Sequence, residues 1–367
     1  MGKIFKRSLE IIEENKRRVE RGELNCIPMP FERLQASIPG IEQKKYTIVT
    51  ASSGVGKSKF VKYLYVMNAY HQWKKDPKSF NLKIFYFCLE ESKEAFMNSM
   101  ISYKLFIDDG LLISPMDLNS KVFAAPDEVV DAIKDCTKYF EDFEEVVEIV
   151  DWIHKPYQLY MHVSGYAEKN GVWSMRDYIT PEGKKDSAHD YYTPNEDNKY
   201  IIVVIDHINL LQPESGLTFH QTLTRFSSQF CIGMRDKYRC SVVAVQQQSA
   251  DKEKLEFNVF GGKNIDVKLE PSLDGLGDNK LTQRDADLVL GLFGPSRYPI
   301  TTHRGYDVSR MGDSYRSLIV LKNREGIPNS RIGLHFLGAV GAFAELPPSG
   351  LMNDKMYDDV MRNHSLF

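Results

Sequence analysis

An α/β fold, with a central and mostly parallel sheet flanked by helices, is what this sequence predicts, and three observations predict it. Tyr46-Thr47-Ile48-Val49-Thr50 is an apolar, β-branched run that reads as a buried strand. A Gly/Ser loop follows, and then residues 59–70, where Phe60, Leu64 and Met67 recur at helical spacing. Tyr200-Ile201-Ile202-Val203-Val204-Ile205-Asp206 has the continuous apolar character of a strand buried on both faces, with a carboxylate at its tip. Other apolar runs alternate with helical patterns, as in a sheet built by helical crossovers.

The first loop, Ala51-Ser52-Ser53-Gly54-Val55-Gly56-Lys57-Ser58, carries the chemistry. It fits the phosphate-loop pattern G-x-x-x-x-G-K-[ST], with Ala51 in the first glycine's place. Gly54 and Gly56 let the backbone curl so that N–H groups converge on phosphate oxygens, and the helix N-terminus adds its positive dipole end. Lys57 supplies a compact charge for the β- and γ-phosphates, and the Ser58 hydroxyl a ligand for Mg²⁺. Lys59 opens the helix behind them. The cofactors expected are therefore ATP, as the nucleoside triphosphate, and Mg²⁺.

At 367 residues the chain has room for a sizeable core, and 42% hydrophobic with 26% charged residues is ordinary for a globular protein. No run reaches the length of a membrane span and no apolar signal segment opens the chain, so a cytoplasmic location without membrane contact is expected. The five cysteines are scattered without C-x-x-C spacing and read as reduced thiols. A formal net charge of −3 means that nucleic acid must be met by a local basic patch.

Taken in order, residues 4–22 read as a helix with Phe5, Leu9, Ile12 and Val19 on one stripe. That stripe packs on its own domain or on a neighbouring subunit. Residues 25–40 are a Pro-punctuated lead-in. Residues 83–89 form a second strand ending at Glu90-Glu91, and a helix follows from about Lys93 with Phe96, Met97 and Met100 inward. Glu90 at the carboxyl end of a parallel strand is placed to deprotonate a water, or else is an acidic residue of a helix N-terminus. Pro126 opens a helix bearing Val129, Val130, Ile133 and Phe140, residues 146–150 form a strand, and residues 157–167 a helix. The polar stretch 173–198 reads as a solvated surface insertion, in preference to one whose several tyrosines stack on bases.

Asp206 then completes a Walker B arrangement, holding Mg²⁺ directly or through water. His207 reads as a packing or hydrogen-bonding residue. Residues 219–238 form a long helix, and 240–245 a strand ending in Gln246-Gln247-Gln248. Residues 249–284 read as a mobile loop whose Lys252, Lys254, Lys263, Lys268 and Lys280 meet DNA phosphates or simply solvent. Residues 286–293 give another buried strand, and 317–321 with 331–336 a late edge hairpin. Lys322 and Arg324, one residue apart on a strand, face the same way: they protect the edge or reach a neighbour's γ-phosphate.

In this order the signals resemble the ATPase domain of DnaB-like replicative helicases, RecA-type hexameric motors, over about residues 22–346. Phe87-Cys88-Leu89-Glu90 is similar to the strand carrying that family's catalytic glutamate. Ile205-Asp206-His207-Ile208-Asn209-Leu210 is similar to its Walker B. Val243-Ala244-Val245-Gln246-Gln247 resembles the strand with the sensor glutamine, which maps to Gln247. Residues 271–274 with 286–289 resemble the stretch closing the DNA-binding loop. Leu321-Lys322-Asn323-Arg324-Glu325-Gly326 resembles the Lys-x-Arg finger that acts on the adjacent subunit's nucleotide. The departures are Gln248-Ser249-Ala250 where the family has an arginine, a longer insertion before Walker B, and no length for the N-terminal, primase-contacting domain.

The resemblance implies residues 1–40 as an N-terminal helix and lead-in, 41–346 as a RecA-like P-loop NTPase domain with a late β-hairpin, and 347–367 as a C-terminal tail. It implies a ring-shaped homo-oligomer, a hexamer, that hydrolyses ATP and unwinds DNA as it moves on single-stranded DNA at a forked duplex in a bacterial or phage-infected cell. A primase or loader partner by the usual route is in doubt. The alternative is a RecA/RadA-like recombinase or a regulatory RecA-fold ATPase without unwinding.

Overall fold

The computed structural model describes residues 3–121, 123–196, 198–249, 268–276 and 281–367. Its centre is a nine-stranded sheet. The strands are β1 (Lys45–Ala51), β2 (Asn81–Cys88), β3 (Val147–Val150), β4 (Lys199–Asp206), β5 (Ser241–Gln247), β6 (Leu288–Phe293), β7 (Tyr315–Asn323), β8 (Arg331–Leu337) and β9 (Ala342–Glu345). Their order across the sheet is β9-β8-β7-β6-β1-β5-β4-β2-β3. From β6 to β3 neighbours run parallel; from β6 to β9 they run antiparallel. This is an α/β sheet, mostly parallel with a late antiparallel hairpin, as the sequence leads one to expect.

Side-chain alternation explains why the central strands carry apolar residues at nearly every position. Successive residues of a strand point to opposite faces. On β4, Tyr200, Ile202 and Val204 enter one core while Ile201, Val203 and Ile205 enter the other. The first core packs against a helical run labelled here α2 (Lys57–Val61, Lys62–Asn68 and Ala69–Lys75 in succession), and against the helix Lys93–Asp109. The second packs against the helix Pro156–Lys169 and the run Phe219–Arg225, Phe226–Cys231 and Ile232–Tyr238. Both long runs contain a stretch of wider, π-type turns.

The lead-in is part of the domain. Ile27, Met29, Phe31, Leu34, Ile38 and Ile41 are buried in the first core, with Phe31 lying parallel to Phe60 at 6.2 Å between ring centres. Ahead of it, helix α1 (Lys3–Glu20) keeps its whole apolar stripe, Phe5, Leu9, Ile12 and Val19, exposed within the chain. The own-domain packing considered for that stripe is not what the fold adopts.

Three expectations are corrected. Residues 173–198 are no simple solvated loop: Gly171–Ile179 and Lys185–Pro194 pair as an antiparallel ribbon. The ribbon is exposed on both faces over most of its length, so no apolar alternation marked it. Its base is anchored where Tyr192 packs on Trp173 and Tyr238. The late hairpin is not at the edge, because β9 covers β8. Residues 347–367 are more than a tail: Tyr357 and Val360, from the helix Asp354–Asn363, share a cluster with Tyr306, Met311 and Tyr315. Lys252, Lys254, Lys263 and Lys280 lie outside the described residues; Lys268 is described and exposed.

The segment returning from residue 268 is pinned by Glu270. It accepts hydrogen bonds from Arg304 Nε and Nη2, both at 3.0 Å, and lies 3.0 Å from His303 Nε2 and 3.3 Å from Arg331 Nη2. Burial would raise its pKa, but the bonds to His303 and Arg304 and the charge of Arg331 outweigh that and hold it at about 2. The five cysteines are all free thiols.

If residues 25–41 belong to the domain, Phe31→Ala opens a cavity in its core. The expected cost is about 3–5 kcal/mol, read as a lowered melting temperature, whereas removal of residues 3–20 leaves the melt near that of the full chain.

Candidate nucleotide site

The loop after β1 turns through two glycines with positive φ, Gly54 at 75° and Gly56 at 104°. At Gly56 a Cβ would also stand 3.1 Å from the Phe336 ring, so backbone conformation and space both call for glycine. α2 then begins at Lys57, with Phe60 N–H donating to the Gly56 carbonyl at 2.9 Å. Lys57, Ser58 and Lys59 of its first turn line the same cleft as Ser53, Gly54 and Gly56. Lys57 is buried, and its ammonium donates to the Ser52 carbonyl at 2.9 Å.

Strand register brings the distant residues together. β2 and β4 pair with Cys88 opposite Asp206, and Leu89 N–H donates to the Asp206 carbonyl at 2.9 Å. Glu90 is therefore set beside the Asp206 strand tip. β1 and β5 pair with Ala51 opposite Gln247, which puts that glutamine next to the phosphate loop. Glu90, His207 and Gln247 all line the cleft with Lys57 and Ser58.

Asp206 is held at both carboxylate oxygens. Its Oδ1 accepts from Ser58 Oγ at 3.1 Å and its Oδ2 from the Tyr86 hydroxyl at 2.6 Å. A buried carboxylate 3.1 Å from a hydroxyl at a phosphate loop is a donor set suited to a hard divalent cation such as Mg²⁺. His207 Nε2 lies 3.8 Å from Glu90 Oε2, while its buried Nδ1 has no hydrogen-bond partner among the described residues. Burial keeps the His207 ring below its ordinary pKa, Asp206 and Glu90 pulling the other way. Glu91 points elsewhere and pairs with Lys62.

Lys322 and Arg324 are not brought into this cleft. Asn323 pairs with Leu288, and Leu288 with Thr47 at the start of β1, so both cations stand at the amino end of the parallel strands, opposite their own phosphate loop. There Lys322 donates to the carbonyls of Gln283 and Ala286, and Arg324 Nη1 to Asp287 at 3.0 Å.

Sequence reasoning missed Arg316, Asp313 and Phe336 on the cleft wall. Arg316 is 1% exposed, and a guanidinium that deep must be fully satisfied. It donates to the Val55 carbonyl at 2.7 Å, to the Asp313 and Tyr315 carbonyls at 2.7 and 2.9 Å, and to Asp313 Oδ1 at 3.0 Å. It also stacks over Phe336, 4.6 Å from the ring centre. Nothing in the pattern of a strand read from residue 317 flagged it. Tyr86 was hidden inside an apolar run in the same way.

No protein-family model matches the chain, and no curated protein matches it in sequence. Solved structures do resemble it. One, described as a DnaB-like replicative helicase and its interactions with primase, is 17% identical over 95% of this chain and 68% of that one, with a TM-score of 0.65. Another, the ATPase domain of G40P, is 16% identical over 95% of this chain and 100% of that one, with a TM-score of 0.62. The likeness is one of fold: this chain has the RecA-like α/β fold of those structures. Among the described residues no helix is long and apolar enough to cross a membrane.

Arg316→Met should leave the Val55 carbonyl unbonded and loosen the phosphate loop. The expected destabilisation is about 1–3 kcal/mol, with weaker binding of a fluorescent ATP analogue; Arg316→Lys, lacking the guanidinium fork, should restore little of either.

Proposed function

We propose that this RecA-fold chain is an ATP hydrolase coupled to DNA unwinding, working on single-stranded DNA as a ring-shaped homo-oligomer, a hexamer. The observation that carries the reading is the division of the site. Lys57, Ser58, Glu90, Asp206 and Gln247 converge at one end of the sheet, while Lys322 and Arg324 stand at the other. A finger so far from its own phosphate loop serves only a neighbouring copy.

On this reading residues 51–59 wrap the triphosphate and Lys57 leaves the Ser52 carbonyl for the phosphates. Ser58 and Asp206 hold Mg²⁺, with Tyr86 fixing the second carboxylate oxygen of Asp206. Bound there, the metal neutralises charge on the β- and γ-phosphates. Glu90 takes a proton from the attacking water, and the Gln247 side chain hydrogen-bonds the γ-phosphate. Lys322 and Arg324 of the adjacent copy stabilise the charge that develops as the γ-phosphate leaves.

The stripe of α1 fits the same assembly. Its exposed Phe5, Ile12 and Val19 gain about 1.5–3 kcal/mol each if a neighbour buries them fully. The Lys-Asn-Arg segment favours a helicase over a recombinase, and strand displacement on a forked duplex separates the two.

Lys57→Ala should abolish turnover, and Arg324→Ala should lower kcat by about 10³–10⁵. Co-assembly of the two inactive variants should recover part of the activity, since some interfaces then join an intact loop to an intact finger. Absence of recovery in verified mixed oligomers would count against a finger acting across the interface.

A further inference from the structure

A second polar groove lies at the end of the sheet away from the phosphate loop, between α1 and the turn that enters β1. Arg7 and Arg18 line it from α1, and Lys44 and Arg239 from the body. Lys44 N–H donates to the Arg239 carbonyl at 3.1 Å, and both residues take left-handed backbone, with φ of 56° and 60°. Positions where glycine is the relaxed choice thus carry cations, the kind of strain that collects at functional sites.

Cations outnumber carboxylates along the groove. Lys44 makes no ion pair with any described carboxylate, and Arg7 lies over the Tyr191 ring at 4.5 Å without one. One carboxylate, Glu42, also lines the groove, 3.3 Å from a Lys45 Nζ that Glu325 holds at 2.6 Å, and Asp236 lies 2.7 Å from Arg235 Nε. Arg18 is partly neutralised by Glu23 at 3.3 Å, and Arg239 donates to the Gln43 amide oxygen at 2.6 Å. Lys44 has its pKa lowered by burial and by the nearby charges of Arg239 and Arg7, only Asp236 opposing them. In a chain whose net charge is −3, this crowding of cations is local.

We infer that this groove binds phosphate groups, and that its occupant is the backbone of a single-stranded nucleic acid. Tyr191, 44% exposed on the ribbon and already stacked with Arg7, offers the aromatic face on which a base can stack. Cations tracking a backbone beside such a face are the usual composition of single-strand sites, whereas free phosphate has no use for the ring. The site is separate from the nucleotide cleft, so its test does not depend on ATP hydrolysis.

The test is a salt series of oligothymidylate binding to the full chain, without nucleotide, comparing wild type with the Arg7→Gln, Lys44→Gln double variant. Loss of two phosphate contacts should flatten the dependence of log affinity on log salt by about 1.4, or about 0.7 for each contact. Because the substitutions remove repulsion, the variant should melt no lower than wild type. Lys44→Gln alone should give about half the change in slope and keeps the test open if the double variant folds poorly. Loss of thermal stabilisation by tripolyphosphate, with an unchanged oligothymidylate slope, would overturn the strand as occupant. An unchanged slope together with unchanged tripolyphosphate stabilisation would overturn the site altogether.

Discussion

The Asp206 carboxylate, held by Ser58 and Tyr86, is the contact on which the architecture of the site depends. A parallel sheet covered by helices on both faces has no place for a polar side chain except at its strand tips. Four neighbouring strands, β1, β5, β4 and β2, therefore deliver the phosphate loop, Gln247, Asp206 and Glu90 to one end. Tyr86 is the exception that ties the core to the chemistry: its ring is buried against Phe96 and its hydroxyl fixes Asp206. Register does the positioning, since a shift of one residue between β2 and β4 would exchange the two cores.

The opposite end of the sheet is equally organised. Asp287 joins Arg235 and Arg324, each at 3.0 Å, and accepts the Tyr46 N–H at 2.9 Å. Asn323 donates to the Ser37 carbonyl at 2.7 Å, and Lys45 lies 2.6 Å from Glu325. The turn carrying Lys322 and Arg324 is thus braced by the lead-in segment and by the start of β1.

What was legible in the sequence is what local pattern encodes. The phosphate loop, the Asp206 strand, the neighbouring strand that leads to Glu90 and the helical run 219–238 follow from apolar runs and glycine spacing. The ribbon 171–194 was misread because neither face of it is buried over most of its length, leaving no period-two signal. β9 is only four residues long and gave too short a pattern to read. Arg316 and Tyr86 act through partners far away in sequence, 261 and 120 residues respectively, and no local rule reaches that far. The groove at Lys44 and Arg239 escaped for the same reason: it exists only once α1, the ribbon and the end of the long helix are brought side by side.

On the proposed reading each nucleotide is gripped by one copy of this chain and triggered by another. ATP turnover per chain, measured across a dilution series with and without single-stranded DNA, tests it most directly. The account predicts turnover that rises cooperatively with protein concentration, levels off as copies assemble, and is stimulated by the strand. Full turnover by isolated monomers, indifferent to dilution and to polynucleotide, would contradict it.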